Sequence, residues 1–219
     1  MKLKLIASSL FLPIICCVQA QGFINLNFES AKFTPHPAGG SFVYASNAVP
    51  GWTPYFDGFA NDYVASNGIS LGGSQVSIET TNNVQGYLPV QGKFFLLLGG
   101  SFSGGNSTAS IGQTGQIPLS AQSILFWGSI FGSLDVSFNG NALSFAAAGT
   151  TVNNYTIYQA DVSTYAGQIG ELLFSSPFNT HAFIDNIQFS STAVPEPGIL
   201  AFTVLGGLGL FLIKKRQRR

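Results

Sequence analysis

Apolar and polar residues alternate over short stretches along the central part of the chain. Ile24, Leu26 and Phe28 are separated by asparagines, and residues 134–138 repeat this period of two before an Asn-Gly pair at 139–140. A period of two predicts a β-strand with one buried face, and Asn-Gly between two such runs predicts a hairpin turn. The pattern therefore indicates short strands joined by tight turns.

Two longer stretches are apolar without clear alternation. Residues 94–98 form a continuous apolar run, which is typical of a strand that is buried on both faces, and residues 123–131 are another long apolar stretch. Further short strands are predicted at 75–79, 155–162, 171–175 and 182–189. No part of 21–193 keeps a 3.6-residue apolar period, and roughly eight to ten short strands with turn-rich connections predict an all-β, two-sheet sandwich of the jelly-roll type.

The charged residues divide the chain into three segments. The central segment, 21–193, contains two lysines, eight acidic residues and neither arginine nor cysteine, which gives it a net charge of −6. An acidic surface without arginine disfavours binding to nucleic acid. The lack of cysteine excludes disulfide bonds and thiolate metal sites from this segment.

The beginning of the chain has the organisation of a signal peptide. Two lysines precede an apolar run over 5–18, and small residues occupy positions 18 and 20, where signal peptidase requires them. We therefore expect signal peptidase to remove residues 1–20. The segment 21–193 would then be a single exported domain, long enough to bury a sizeable core.

The end of the chain, 194–219, combines three features. Val-Pro-Glu-Pro at 194–197 is a rigid, non-helical tetrapeptide, residues 198–213 contain no charged side chain, and 214–219 are Lys-Lys-Arg-Gln-Arg-Arg. A helix over 198–213 would be about 24 Å long, and the adjacent lysines can extend to the membrane surface. The positive-inside rule keeps the basic tail in the cytoplasm, so we expect one transmembrane helix with the acidic domain outside the cell membrane.

This arrangement resembles the PEP-CTERM sorting signal of Gram-negative bacteria, in which a Pro-Glu-Pro motif, a transmembrane helix and an arginine-rich tail follow one another. Here the motif is Pro195, Glu196 and Pro197. The resemblance implies that exosortase recognises the motif as a substrate and cuts the membrane-anchored precursor near it. It also implies delivery to the cell surface or to an extracellular polysaccharide matrix.

Three short motifs in the central domain resemble those of galactose-binding-like jelly rolls, a fold used by many carbohydrate-binding modules. Asn25–Glu29 is Asn-Leu-Asn-Phe-Glu, Val49–Trp52 is Val-Pro-Gly-Trp, and Phe183–Ile187 is Phe-Ile-Asp-Asn-Ile. The resemblance spans 21–193 and implies a domain that binds rather than catalyses.

Asp185 is predicted to lie in a strand among apolar neighbours. In an extended backbone it shares a face with Phe183, Ile187 and Phe189, where an ionised carboxylate is costly unless it is paired or bound to a metal. Because the domain has few lysines, a calcium ion is a suitable partner. The jelly-roll resemblance implies a structural calcium ion held by Glu29 and Asp185. The alternative is that Asp185 accepts hydrogen bonds from backbone amides and Glu29 is solvated.

Trp52 and Tyr55 are the candidate ligand-binding residues. Both lie in Gly51–Asp57, a stretch with the composition of a loop, where exposed aromatic rings stack well on sugars. The alternative for Trp52 is packing in the core, as we expect for Trp127 in its apolar strand.

The sequence contains little that predicts catalysis. The two histidines, His36 and His181, lie in a predicted loop and a predicted turn, and neither a His-x-x-x-His spacing nor a Gly-x-Ser-x-Gly elbow occurs. We therefore expect a protein that is not an enzyme. The expected function is a structural or adhesive role at the cell surface or in the extracellular matrix. The alternative is a carbohydrate-binding module for exopolysaccharide, and the third interpretation is a glycan-acting enzyme.

Overall fold

The computed structural model describes residues 22–68, 72–83, 85–101, 107–149, 153 and 155–194. The predicted signal peptide, the Pro-Glu-Pro motif, the predicted transmembrane helix and the basic tail lie outside these residues and stay predictions. Within the described ranges, no helix is long and apolar enough to cross a membrane.

The described part of the chain is almost entirely β-structure. One short helix, α1 (Ala45–Ala48), and one 3-10 turn at Ser163–Tyr165 are the helical segments found there. The strands are β1 (Phe42–Tyr44), β2 (Thr53–Phe56), β3 (Phe59–Ala60), β4 (Tyr63–Ser66), β5 (Gln75–Glu79), β6 (Phe95–Gly99), β7 (Ala109–Gln116), β8 (Ser123–Phe131), β9 (Asp135–Phe138), β10 (Asn141–Ala142), β11 (Phe145–Ala147), β12 (Thr156–Asp161), β13 (Ile169–Ser176) and β14 (His181–Ser190).

These strands form two sheets. Eight strands make the larger sheet in the order β1-β4-β5-β6-β14-β8-β12-β11, and six make the smaller sheet in the order β10-β9-β13-β7-β2-β3. Strands β4 and β5 run parallel, whereas the other neighbouring strands run antiparallel. The predicted all-β, two-sheet architecture is confirmed.

The two sheets pack face to face around one hydrophobic core. Phe126 of the larger sheet meets Phe174 of the smaller sheet edge to face, with ring centroids 5.4 Å apart. Ile111 and Phe138 of the smaller sheet and Ile184 of the larger sheet are fully buried in the same cluster. Alternate residues of each strand supply these side chains, so the period of two in the sequence forms the core.

Two local predictions from the sequence are confirmed. All five residues of β6 are buried, as expected for an apolar run without alternation. Asn139 and Gly140 connect β9 to β10 with φ of 50° and 74°, and Asn141 pairs with Phe138. Positive φ at both central residues belongs to the type I′ turn that Asn-Gly favours in hairpins.

The prediction of a strand at residues 24–28 is wrong. Asn25 and Phe28 have φ of 50° and 60°, and the Phe28 N–H donates to the Asn25 carbonyl over 3.2 Å. The Asn25 side chain also accepts a hydrogen bond from the Ser30 N–H at 3.0 Å. Asparagine stabilises such turns through its own side chain. The turn buries Phe28 and leaves Ile24 42 % exposed, so the alternating sequence does not correspond to one buried face of a strand.

The sandwich has two distinct ends. At one end, here termed the terminal end, Gln116 forms a bridge with Gly22 and Ser123 pairs with Ser190. Both ends of the described chain therefore lie there. At the opposite end, termed the loop end, β7 begins at Ala109.

Candidate ligand-binding cleft

A cleft opens at the loop end, between the β1-β4-β5 edge of the larger sheet and β2 of the smaller sheet. Its volume is about 530 Å³, which lies within the range of small-molecule sites. Aromatic and polar side chains share its lining, among them Phe42, Phe56, Asp57, Tyr63, Ser74 and Gln75.

The aromatic part of the cleft is a set of rings packed around Tyr63. The Tyr63 ring centroid lies 4.9 Å from that of Phe42, 5.7 Å from that of Phe56 and 5.2 Å from that of His36. His36 Nε2 lies 3.5 Å from Asp62 Oδ2. Because the rings hold one another, they lose little freedom when a ligand binds. Phe42 is 37 % exposed, so this apolar wall is accessible from solvent.

The polar side chains of the cleft are fixed by backbone groups. Asp57 Oδ1 accepts a 2.9 Å hydrogen bond from the Thr108 N–H, and the Asp57 N–H donates to the Thr108 carbonyl at 3.0 Å. The Gln75 amide donates to the Gly68 carbonyl. A carboxylate has about four acceptor sites, so Asp57 retains capacity for a ligand hydroxyl.

Trp52, one of the two predicted ligand-binding residues, lies in the core. It is 4 % exposed, and its ring packs against Phe28 and Phe174. Its Nε1–H donates to the Asn25 carbonyl over 3.1 Å. The ring is therefore inaccessible to a sugar, and this placement corresponds to the alternative of core packing.

Tyr55, the other predicted ligand-binding residue, lies on the outer face of the smaller sheet, because its neighbours Pro54 and Phe56 face inward. Its hydroxyl donates a 2.9 Å hydrogen bond to Glu171 Oε1. The Glu171 side chain lies over Gly112, where a Cβ atom would come within 2.6 Å of that oxygen. Burial, followed by the Glu171 carboxylate, raises the pKa of Tyr55. Tyr55 therefore faces away from the cleft, and the structure does not bring it together with Trp52.

Asp185, predicted as a calcium ligand, is fully buried in β14. Its Oδ2 accepts hydrogen bonds from the N–H groups of Val90 at 2.8 Å and Gln91 at 3.3 Å. Its Oδ1 accepts one from the Asn186 N–H at 2.6 Å. Backbone amides thus satisfy this buried carboxylate, as one of the two sequence-based alternatives proposed.

Glu29, the second predicted calcium ligand, binds the same backbone segment. Its Oε1 accepts hydrogen bonds from the N–H groups of Lys93 at 2.8 Å and Phe94 at 2.9 Å. Gly92, with φ of 68°, lies against the carboxylate at a point where any Cβ atom would overlap it. Glu29 is therefore held by the protein rather than simply solvated.

The two carboxylates are close enough for their charges to interact. Burial raises the pKa of Asp185 to about 6 against the lowering effect of three backbone donors, and the charge of Glu29 adds to the rise. A calcium ion bound to both would remove this repulsion. Within the described ranges, no three His, Cys, Asp or Glu side chains are grouped as metal ligands. Carbonyl oxygens or water would have to complete the site, and calcium stays a prediction.

Most residues of the cleft were not predicted from the sequence. Phe42, Tyr63 and Gln75 come from β1, β4 and β5, and the first two of these strands are too short to show a pattern. The one usable signal was the loop-like stretch Gly51–Asp57, since it contains the two lining residues Phe56 and Asp57.

No protein-family model and no curated protein matches the sequence. Several solved structures are similar to the chain. TmCBM61, in complex with β-1,4-galactotriose, has 15% identity and a TM-score of 0.43, over 78% of this chain and 98% of that one. The mannan-recognising carbohydrate-binding module TmCBM27 has 11% identity and a TM-score of 0.35, over 68% and 95%. Fisc, a Stig cyclase from Fischerella sp. TAU, has 16% identity and a TM-score of 0.40, over 78% and 96%.

The comparison with solved structures corrects one expectation. Cyclases, which are enzymes, occur among the similar structures together with carbohydrate-binding modules. The prediction that the protein is not an enzyme is therefore wrong, since it excluded catalysis and enzymes occur among the similar structures. Function therefore has to be argued from the site.

Proposed function

We propose that the domain binds carbohydrate in the cleft at the loop end, the function that the sequence analysis gave as its alternative. The observation that carries this proposal is the packed aromatic wall around Tyr63 in one cleft with Asp57, Ser74 and Gln75. A sugar presents apolar C–H faces and polar hydroxyl groups. Aromatic rings bind the faces, while carboxylate, amide and hydroxyl groups bind the hydroxyls.

The charge of the domain narrows the class of sugar. The central segment contains two lysines against eight acidic residues, and Asp57 is the charged side chain in the lining of the cleft. An anionic polysaccharide would be repelled by both the overall field and this local charge. A neutral saccharide is therefore the class of ligand that the cleft fits.

The proposed ligand lies outside the cell, and the sequences at the two ends of the chain supply a route there. We propose that signal peptidase removes 1–20 and that exosortase acts at Pro195, Glu196 and Pro197 after 198–213 has anchored the precursor. In this setting, sugar binding would give the protein its adhesive role, because it would attach the cell surface to neutral exopolysaccharide.

Isothermal titration calorimetry with neutral gluco-, manno- and galacto-oligosaccharides tests the binding proposal. Replacement of the central ring by Tyr63→Ala should weaken binding by about tenfold or more, since stacking contacts are lost. Tyr55→Ala is the matched control, because it removes a tyrosine ring from the outer face of the same domain. We expect it to bind within about twofold of the unchanged protein.

A second variant separates lost binding from lost folding. Ser74→Trp fills the cleft from a partly exposed position and removes no core side chain, so it should abolish binding while the melting temperature stays close to that of the unchanged protein. Binding of no oligosaccharide by the unchanged protein would contradict the proposal. Normal binding by Ser74→Trp, or loss of binding in Tyr55→Ala alone, would contradict it as well.

A further inference from the structure

The last described residues are hydrogen-bonded to the terminal end of the sandwich. The Ser123 hydroxyl donates a 2.7 Å hydrogen bond to the Thr192 carbonyl, and the Gln122 N–H donates to the Ser190 carbonyl at 2.7 Å. The uncharged stretch 198–213 begins six residues after Thr192. Six extended residues span at most about 20 Å. A membrane anchor at 198–213 would therefore keep the terminal end within about that distance of the bilayer.

This same end exposes two large apolar side chains. Leu119 is 83 % exposed and Ile169 is 57 % exposed. Their segments are joined, because the Ile117 N–H donates to the Gln168 carbonyl at 3.0 Å and the Gly167 N–H donates to the Ile117 carbonyl at 2.9 Å. Leu119 lies against Gly167, where a Cβ atom would come within 2.6 Å of its Cδ2. The two side chains thus belong to one surface.

The segments that carry Leu119 and Ile169 are themselves uncharged, and one of them is flanked by two acidic residues: the Ser163 N–H donates to Asp161 Oδ1 at 2.8 Å, and Glu171 follows Ile169 by two residues on the same face of β13. The two segments that form this surface, 117–122 and 163–169, contain no Asp, Glu, Lys or Arg. Tyr165, which is partly buried against Phe138, adds an amphipathic ring of the kind that suits a membrane interface. Contact with lipid through these two segments would therefore bury apolar groups, provided that Asp161 and Glu171 stay at the aqueous edge of the contact.

We propose that Leu119 and Ile169 rest in the surface of the lipid bilayer while the precursor is anchored. This inference rests on the predicted membrane span at 198–213, and it is independent of the sugar proposal. Strand β7 runs over eight residues from the loop end to the terminal end, a distance of about 26 Å. The cleft is therefore held on the far side of the domain, directed away from the membrane.

Fluorescence quenching by lipid in vesicles tests this orientation. The anchored precursor that begins at Gln21 and retains 198–219 contains no cysteine, so Leu119→Cys can be labelled at a single position with a bimane fluorophore. The labelled precursor is reconstituted in phosphatidylethanolamine–phosphatidylglycerol vesicles that contain doxyl-labelled lipid. We expect the label at residue 119 to be quenched at least about twofold more strongly than a label at residue 59, which is the control position.

Phe59→Cys is the control, since Phe59 is 76 % exposed and lies next to the cleft at the loop end. The label at Ile169→Cys should be quenched as strongly as the label at Leu119→Cys. Agreement between the two positions shows that both lie in one lipid-contacting surface and that the quenching is not caused by one particular label. Equal quenching at residues 59 and 119 in a precursor that floats with the vesicles would overturn the inference while leaving the anchor intact. A precursor that does not float with the vesicles would overturn the anchor and the inference together. Neither result bears on sugar binding.

Discussion

Glu29 and Asp185 accept hydrogen bonds from neighbouring parts of one backbone segment. Asp185 binds the N–H groups of residues 90 and 91, and Glu29 binds those of residues 93 and 94. The beginning of the described chain and the strand β14 near its end are therefore joined through 90–94. Two negative charges remain close to each other in this arrangement, and a divalent cation would stabilise it.

If calcium binds there, chelation should lower the melting temperature of the protein. A ligand at about one hundred times its dissociation constant stabilises the folded state by about 2.7 kcal/mol, because it does not bind the unfolded chain. We expect Asp185→Asn to remove the effect of the chelator in a thermal melt followed by circular dichroism. Asp135→Asn, at an exposed position in β9, is the control and should keep it. Identical melting of the unchanged protein with and without chelator would contradict the prediction.

Glu79 should make the protein less stable as pH rises towards neutrality. It is fully buried, its Oε2 has no hydrogen-bond partner, and its Oε1 accepts a 2.5 Å hydrogen bond from the Ser77 hydroxyl. Burial raises the pKa of Glu79 from 4.5 to about 7, although hydrogen bonds from Ser77 and Gly68 lower it. The folded state therefore holds the proton more tightly than the unfolded state. The stabilisation that the protonated Glu79 gives to the folded state is complete below pH 4.5, and it is lost as pH rises to about 7.

Glu79→Gln tests this dependence, because glutamine stays neutral and its amide oxygen can still accept from Ser77. At pH above about 7 the variant should exceed the unchanged protein in free energy of unfolding by about 3 kcal/mol. At acidic pH the two should be similar. Urea titrations across this range supply the measurement. The pKa of Asp185 is raised in the same direction but only to about 6, so the interval just below 7 isolates Glu79. A parallel pH profile in both proteins would refute the assignment.

Trp52→Ala should lower the free energy of unfolding. The ring contacts Phe28 and Phe174 in the core, and truncation of a buried tryptophan costs about 3–5 kcal/mol. Tyr55→Ala, at a partly exposed position, should cost much less. Urea unfolding of the two variants compares them directly. A stable Trp52→Ala that has lost only sugar binding would show that the tryptophan contacts the ligand after all.

Intact mass spectrometry of the protein from cells and from medium tests the processing proposals. A species that begins at Gln21 and ends near Pro197 would support cleavage by both signal peptidase and exosortase. A species that retains 198–219 in wild-type cells would mean that the anchor is permanent and that the sorting resemblance is misleading.

The sequence predicted those parts of the fold that local chemistry decides. Apolar residues on both faces of β6 and the Asn139-Gly140 turn act over a few residues, and both were predicted correctly. The strand at Ile24 to Phe28 was predicted wrongly, because an alternating sequence does not by itself make the backbone extended, and Ile24 is exposed while Phe28 is buried. The asparagines at 25 and 27 favour a turn instead, in which Phe28 has a left-handed φ and reaches the core.

The cleft could not be predicted for a different reason. Its lining depends on the parallel pairing of β4 with β5 and on the approach of Phe56 from the other sheet, and neither relation is visible in a local pattern. Tyr55 and Phe56 show the problem most clearly. These adjacent aromatic residues point to opposite faces of β2, and only the position of the strand in the sheet decides which one lines the cleft.

The place of β14 in the larger sheet constrains when the domain can complete its fold as the chain emerges from its N-terminus to its C-terminus. It is the last strand of the described chain, yet it lies between β6 and β8 and is the strand that connects the group β1-β4-β5-β6 to the group β8-β12-β11. Until residues 181–190 have emerged, these two groups have no shared strand and their inner edges stay unpaired. The domain therefore completes its fold only after nearly all of it has emerged, which would suit the proposed export, because a chain has to be unfolded in order to cross the membrane in this way.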